Sequence, residues 1–227
     1  MIFFKEVFDF ILPRFCATCK KKLKTNEEVV CYDCLREIKT VSDEKIAFAF
    51  GNKFKESSII TEFSSLYLFE KDKPVQELIH QLKYRQKFLI GKFIGSNLGR
   101  SLKRKSADWQ LDLIVPVPLH HLKLAERGFN QSFYIAKGLE SVLKIKVENN
   151  SIKRKRYTQS QTTMGIEERE QNIKDAFSIK KVEKIKNKNI LLIDDVITTG
   201  ATIRECGKLL LDNGANKVYA ASGALAY

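Results

Sequence analysis

Asp194 and Asp195 close the aliphatic run Ile190-Leu191-Leu192-Ile193. Val196-Ile197-Thr198-Thr199-Gly200-Ala201-Thr202 follows, with helix-forming sequence behind it. That order predicts a buried strand, a tight loop and a helix N-terminus. A helix N-terminus preceded by Gly and Thr offers unpaired backbone N–H groups to a phosphate, and open α/β sheets bind ligands at the carboxyl ends of their strands. Two carboxylates beside such an anion site can grip hydroxyl groups of the same ligand, so a phosphorylated sugar fits. An aspartate after four aliphatics could instead hold magnesium in a nucleotide hydrolase. That chemistry needs a G-x-x-x-x-G-K-[ST] phosphate loop, and the sequence has none. A plain strand-turn-helix connection with a solvated acid pair is the other alternative.

Cysteines supply the second constellation. Cys16-x-x-Cys19 and Cys31-x-x-Cys34 are paired C-x₂-C turns, the spacing with which two knuckles complete a tetrahedral zinc shell. A redox dithiol would account for one pair only, and disulfides are disfavoured in a reducing compartment. Four sulfur ligands leave no open position, so the zinc is expected to be structural. Lys20, Lys21, Lys22 and Lys24 between the pairs could touch phosphates or form a solvated loop. The fifth cysteine, Cys206, reads as a small buried side chain.

These groups need elements to position them. Phe63 to Phe69 is predicted as a strand, and 74–102 as helix broken near Tyr84-Arg85-Gln86-Lys87. Leu111 to Pro118 is predicted as a strand that leaves its sheet at Pro116 and Pro118. His120 and His121 then stand at the rim, where they could meet a pyrophosphate or serve as exposed polar loop residues. Arg127-Gly128-Phe129-Asn130-Gln131-Ser132 opens another helix, with Arg127 and Asn130 as donors beside a glycine that permits close approach to a ligand. Lys153 to Asn172, including Arg154 and Arg156, reads as a mobile charged loop able to close over a leaving group or follow a phosphate backbone. Residues 40–62 read as a connector of modest structure. The chain ends with a helix over 202–213, a stop at Gly214 and a strand over 217–222. Strand-helix alternation from residue 63 onward implies a mostly parallel sheet covered on both faces.

The 227 residues carry 40 Lys and Arg against 27 Asp and Glu, a formal charge of +13 that favours polyanionic partners. The opening Ile2 to Leu12 is too short and too charged to span a bilayer and lacks the features of a secretory signal. It reads as an amphipathic helix on the body, and a cytoplasmic protein with no membrane span is expected.

The Ile190–Thr202 run resembles the phosphoribosyl diphosphate signature of type I phosphoribosyltransferases. That resemblance places Asp194 and Asp195 at the ribose hydroxyls, as the catalytic acids, and Thr198, Thr199, Gly200, Ala201 and Thr202 around the 5′-phosphate. Taken with the four cysteines, Pro116-Val117-Pro118-Leu119, Arg127 to Gln131, and the Arg154, Arg156, Thr158, Gln161, Glu168, Arg169, Asn172, Ala176 and Phe177 series, the whole chain resembles the ComF family of DNA uptake and natural transformation. Gln86 and Met164 stand where that family usually shows glycine and leucine. The resemblance implies an α/β phosphoribosyltransferase-like fold over 63–227, a connector over 41–62, and a small zinc-ribbon-like module over 1–40. It also implies phosphoribosyl diphosphate with Mg²⁺ as ligand, Arg127, Asn130, Arg154 and Arg156 near the pyrophosphate, and single-stranded DNA and other competence proteins as partners. Three functions stay open: a DNA-binding competence factor, an active phosphoribosyltransferase of nucleobase salvage, and a sensor of phosphoribosyl diphosphate. Adjacent strand residues face opposite ways, so one of the two acids is expected to dominate.

Overall fold

The computed structural model describes residues 12–71, 73–85, 87–157 and 173–226. The expected N-terminal helix, Gln86, and the Thr158, Gln161, Met164, Glu168, Arg169 and Asn172 positions lie outside them.

Five strands make one parallel sheet: β1 (Phe63–Phe69), β2 (Leu113–Pro116), β3 (Lys146–Val147), β6 (Asn189–Ile197) and β7 (Lys217–Ala226), in the order β1-β7-β6-β2-β3. Parallel strands require crossovers, and helices supply them. β1 leads through α3 (Pro74–Tyr84) and α4 (Phe88–Asp108) to β2; β2 leads through α5 (His121–Arg127) and α6 (Gln131–Leu143) to β3; β6 leads through α7 (Ala201–Asp212) to β7. The N-terminal residues add α1 (Tyr32–Glu37) and α2 (Asp43–Lys53).

Both faces of the sheet are covered, as the alternation implied. Leu191 and Ile193 of β6 pack with Ile94 and Leu98 of α4 and Ile135 and Leu139 of α6. Ile190 and Leu192 face the other way, toward Ile203, Cys206 and Leu210 of α7 and toward Ala49 and Phe54. Near-continuous burial along β6 and β7 is what a strand covered on both sides requires. Cys206 is fully buried, as expected, and burial pushes its thiol well up.

Three local expectations are revised. Residues 43–53, read as connector, form an 11-residue helix whose N-cap Ser42 accepts from Lys45 N–H at 3.4 Å, and the Phe54 that follows is 1% exposed under the sheet. Ile152–Arg154, read as the start of a loop, form a strand, β4, antiparallel to β5 (Phe177–Ile179), so Arg154 stands in regular structure. His120 is buried rather than exposed: it caps α5 by accepting the Leu122 N–H, and its Nε2 meets the Lys155 backbone oxygen at 3.2 Å. Among the described residues, no helix is long and apolar enough to cross a membrane.

Candidate functional site

The sheet order fixes where a ligand can enter. From the β2/β6 junction one crossover runs outward to β3 with α6 on one face. The other runs the opposite way to β7 with α7 on the opposite face. Helices on opposite sides part at such a switch point and leave a crevice beyond the carboxyl ends of the two strands. Asp194, Asp195, the Thr198–Gly200 loop, Asn130 and Ser132 all belong to that rim.

Strand β6 runs on through Ile197, past the two acids expected to close it, so both acids lie within it and point to opposite faces. Asp194 faces the α7 side. Its Oδ1 accepts from Ser132 Oγ at 3.0 Å and from the Asp195 N–H at 2.8 Å. Burial and the neighbouring Asp195 raise its pKa to about 7, against the opposing pull of the Asp195 N–H, Lys83 and Ser132. Asp195, 8% exposed, faces α3, and its Oδ2 pairs with Lys83 Nζ at 3.1 Å. The two acids therefore differ in kind: one is poised near neutrality and the other is ion-paired with a lysine.

The loop beyond them is built for close approach. Gly200 has φ +81°, and a Cβ there would stand 2.8 Å from the Phe54 ring, so no other residue fits without strain. Arg204, one turn into α7, donates from Nη1 to the backbone oxygens of Thr199 at 3.0 Å and Lys53 at 2.6 Å, fastening the loop to the end of α2. The Ala201 N–H meets Thr199 Oγ1 at a long 3.4 Å, and the helix N-terminus behind Gly200 directs its first amides outward.

Cations surround the crevice. Burial, then the charges of Arg154 and Arg127, lower the Lys123 pKa to about 8, with Lys83 adding to the effect and Glu126 opposing it. Arg127 lies over the Tyr84 ring at 5.5 Å and donates to Gln131 at 3.0 Å, while its buried Nε has no hydrogen-bond partner among the described residues. Arg154 stacks on Phe177, and Arg156 donates to the Lys174 backbone oxygen at 2.7 Å. Asn130 is the N-cap of α6, accepting from Ser132 N–H and donating to the Val117 backbone oxygen, each at 3.0 Å. Its side chain is thus occupied in holding α6. Lys83 falls next to the helix break expected near Tyr84, and neither it nor Lys123 nor Ser132 carries a site signal in the sequence, because contacts across such distances along the chain leave no local pattern.

A groove of about 960 Å³ runs from the cysteine knuckle to the loop, lined among others by Thr18, Phe69, Glu77, Lys83, Val196 and Thr198. A second, of about 730 Å³, is bordered by Phe129, Phe133, Arg154, Lys155 and Lys180.

The structure brings Cys16, Cys19, Cys31 and Cys34 together, with ligand atoms all within 4.8 Å of one another. Cys19 and Cys31 sulfurs stand 3.6 Å apart. A tetrahedron with arms of about 2.3 Å has edges of about 3.8 Å, and a disulfide measures about 2.05 Å, so the spacing is that of a metal shell. Burial opposes ionisation of Cys16, yet the N–H groups of Cys19, Cys31 and Thr18 bring its thiol down to about 6. Burial and the neighbouring Cys19 and Cys31 raise Cys34. The four-thiol donor set fits a metal such as zinc.

Residues 130–223 match the phosphoribosyl transferase domain family, a stretch that begins at the α6 N-cap and contains both acids and the loop. The chain is 29% identical to Competence protein F of Haemophilus influenzae over 215 residues, covering 89% of this chain and 93% of that protein. The chain is thus similar to competence proteins of the ComF type and has a phosphoribosyltransferase-like fold. It is also 35% identical to the DNA utilization protein YhgH of Escherichia coli over 148 residues, 64% of each chain. To the competence protein ComFC of Bacillus subtilis it is 24% identical over 202 residues, 88% of this chain and 78% of that one.

Proposed function

We propose that this ComF-like protein binds phosphoribosyl diphosphate or a related sugar phosphate at the β6–α7 crevice, and single-stranded DNA on its basic face, in the service of DNA uptake. One observation carries the reading: a central strand with two adjacent acids near its carboxyl end and a Gly200 loop at the sheet's switch point, with Lys83, Lys123, Arg127 and Arg154 gathered around them. Thr198 to Thr202 would receive the 5′-phosphate and Asp194 and Asp195 the pentose hydroxyls. The cations would meet the diphosphate, joined by Arg156 and Asn130 only after they leave their present backbone partners. Mg²⁺ would arrive with the diphosphate and add positive charge there. Zinc at the four cysteines is assigned to structure, since four sulfurs close its shell.

DNA binding is supported by the +13 charge and by the groove where Phe129 and Phe133 adjoin Arg154, Lys155 and Lys180, the combination that stacks bases and tracks phosphates. The names of the relatives, competence and DNA utilization proteins, agree with it. A cytoplasmic site of action and contacts with other competence proteins belong to the same reading. The salvage enzyme is the second reading. It is favoured by the cation cluster, because pyrophosphate leaving the sugar's C1 develops negative charge that fixed cations stabilise.

Calorimetric titration of phosphoribosyl diphosphate with Mg²⁺ tests the ligand, and pyrophosphate release across nucleobases and short oligonucleotides separates the two readings. Binding without release supports the competence factor, and release with one base supports the enzyme. An absence of binding overturns both. DNA affinity should fall steeply with salt as phosphate contacts release counterions.

A further inference from the structure

The cysteine knuckle and the acid-tipped strand, far apart in sequence, are joined through one helix. Gln81 of α3 is 2% exposed, and its Nε2 donates both to the backbone oxygen of Ala17, inside the Cys16-x-x-Cys19 turn, and to Glu77 Oε1. Glu77 also takes Lys20 Nζ at 3.1 Å, and the same ammonium donates to the Ala17 oxygen at 2.8 Å. Ala17, Lys20, Glu77 and Gln81 thus form one closed network between the knuckle and α3. Half a turn further on, Lys83 reaches Asp195 at 3.1 Å, with side-chain exposures of 23% and 12%. Gln81 and Lys83 stand two residues apart near the C-terminal end of this 11-residue helix, so holding Gln81 against the knuckle holds the lysine as well.

We propose that α3 is a strut: metal held by the four cysteines sets the Ala17 carbonyl, Gln81 transmits that position, and Lys83 is the positioning residue that neutralises Asp195 beside the sugar-phosphate site. This rests on the sugar-phosphate reading above and adds to it a linkage between two sites. Without metal, four sulfurs have no common centre to hold the knuckle, and a moved Ala17 carbonyl takes away one of the two acceptors of the buried Gln81 amide, which favours a shift of the helix. With Lys83 displaced, Asp195 faces an anionic ligand without its ion-pair partner. Metal therefore strengthens sugar-phosphate binding, and by reciprocity sugar phosphate strengthens metal retention by the same factor.

The test uses the full chain purified with zinc and follows zinc release to a colorimetric chelator. Release is compared without ligand and with saturating phosphoribosyl diphosphate, whose binding is first established by calorimetry. Zinc should leave about tenfold more slowly with ligand, within the usual range of coupling between sites. Lys83→Met should keep one zinc per chain and lose the protection. Gln81→Met breaks the contact to the knuckle and should do the same, which keeps the test open if one variant misfolds. Equal release rates with demonstrably bound ligand, or protection that survives in both variants, overturn the strut alone. A calorimetric null overturns the sugar-phosphate reading and the strut with it.

Discussion

Asp194 is placed where its charge is costly to fold, and replacing it with asparagine should make the protein more stable. Its carboxyl titrates near 7 in the folded chain against an ordinary 3.8, chiefly because it is buried and next to Asp195. Each pKa unit corresponds to about 1.4 kcal/mol, so above neutrality the folded chain bears an ionisation cost of about 4 kcal/mol that the unfolded chain escapes. The sign follows from proton counts. Below about pH 4 both states hold the proton and nothing is lost. Between 4 and 7 the unfolded chain releases it while the folded chain keeps it, so stability falls as pH rises; above 7 the loss is complete. The amide oxygen of the substituted side chain would still accept from Ser132 Oγ and the Asp195 N–H, so the packing and both contacts survive. Urea unfolding at pH 4, 6 and 8 should therefore show D194N equal to the parent at pH 4 and more stable by up to about 4 kcal/mol at pH 8, with an unchanged m value. Carboxyls held low, such as Glu27 by the Lys24 and Tyr32 N–H groups, titrate alike in both proteins and cancel in the difference. The same variant should lose sugar-phosphate affinity, the trade expected where a functional charge opposes stability. A D194N protein less stable than the parent at pH 8, or a stability gain equal at all three pH values, would refute the reasoning.

Gly200→Ala should destabilise the fold by about 1–3 kcal/mol, read as a lowered thermal midpoint, because a Cβ at φ +81° strains the backbone and meets the Phe54 ring at 2.8 Å. Gly95→Ala should be worse, since its Cβ would fall 1.9 Å from the Ile135 backbone oxygen and force α4 and α6 apart; soluble, fully folded G95A protein of parental stability would contradict that packing. Lys123 loses its proton near pH 8, so calorimetric affinity for phosphoribosyl diphosphate should decline as pH rises from 7 to 9, and Lys123→Met should flatten that decline. Cys34→Ser should lower the zinc content of the purified chain below one per molecule, measured by elemental analysis, and unfold residues 14–38 first in hydrogen exchange.

What could be read from the residues alone was whatever a local pattern encodes. Four aliphatics, two acids and a glycine gave away the strand, the loop and the helix behind them, and the paired C-x₂-C turns gave away the cluster. The end of β6 escaped because Val196 and Ile197 suit a strand as well as a loop, and pairing with Ala224 and Leu225 of β7 settles the matter. The helix over 43–53 escaped for a different reason. Ile46, Ala47, Phe48, Ala49 and Phe50 form an unbroken apolar run with no clear period, and Phe48 ends 62% exposed. β4 was masked by the charge run Lys153 to Arg156, and its partner Phe177–Ile179 lies more than twenty residues away.

One signal present in the sequence went unused, and it bears on the site. Gly91, Gly95 and Gly99 recur every four residues along α4, which puts them on one face. A Cβ on Gly95 would collide with the backbone of α6, and one on Gly138 would fall 2.3 Å from the Lys92 oxygen, so the two helices cross with backbones nearly touching. That crossing holds α6 down on the sheet, with Ile135 and Leu139 fully buried against it. At the start of the same helix Asn130 ties the cap to the end of β2, and Ser132 is delivered to Asp194 in β6. A stripe of small residues more than thirty positions upstream thus fixes the hydroxyl that touches Asp194, and any residue that widens the crossing should disturb that contact before it disturbs the sheet.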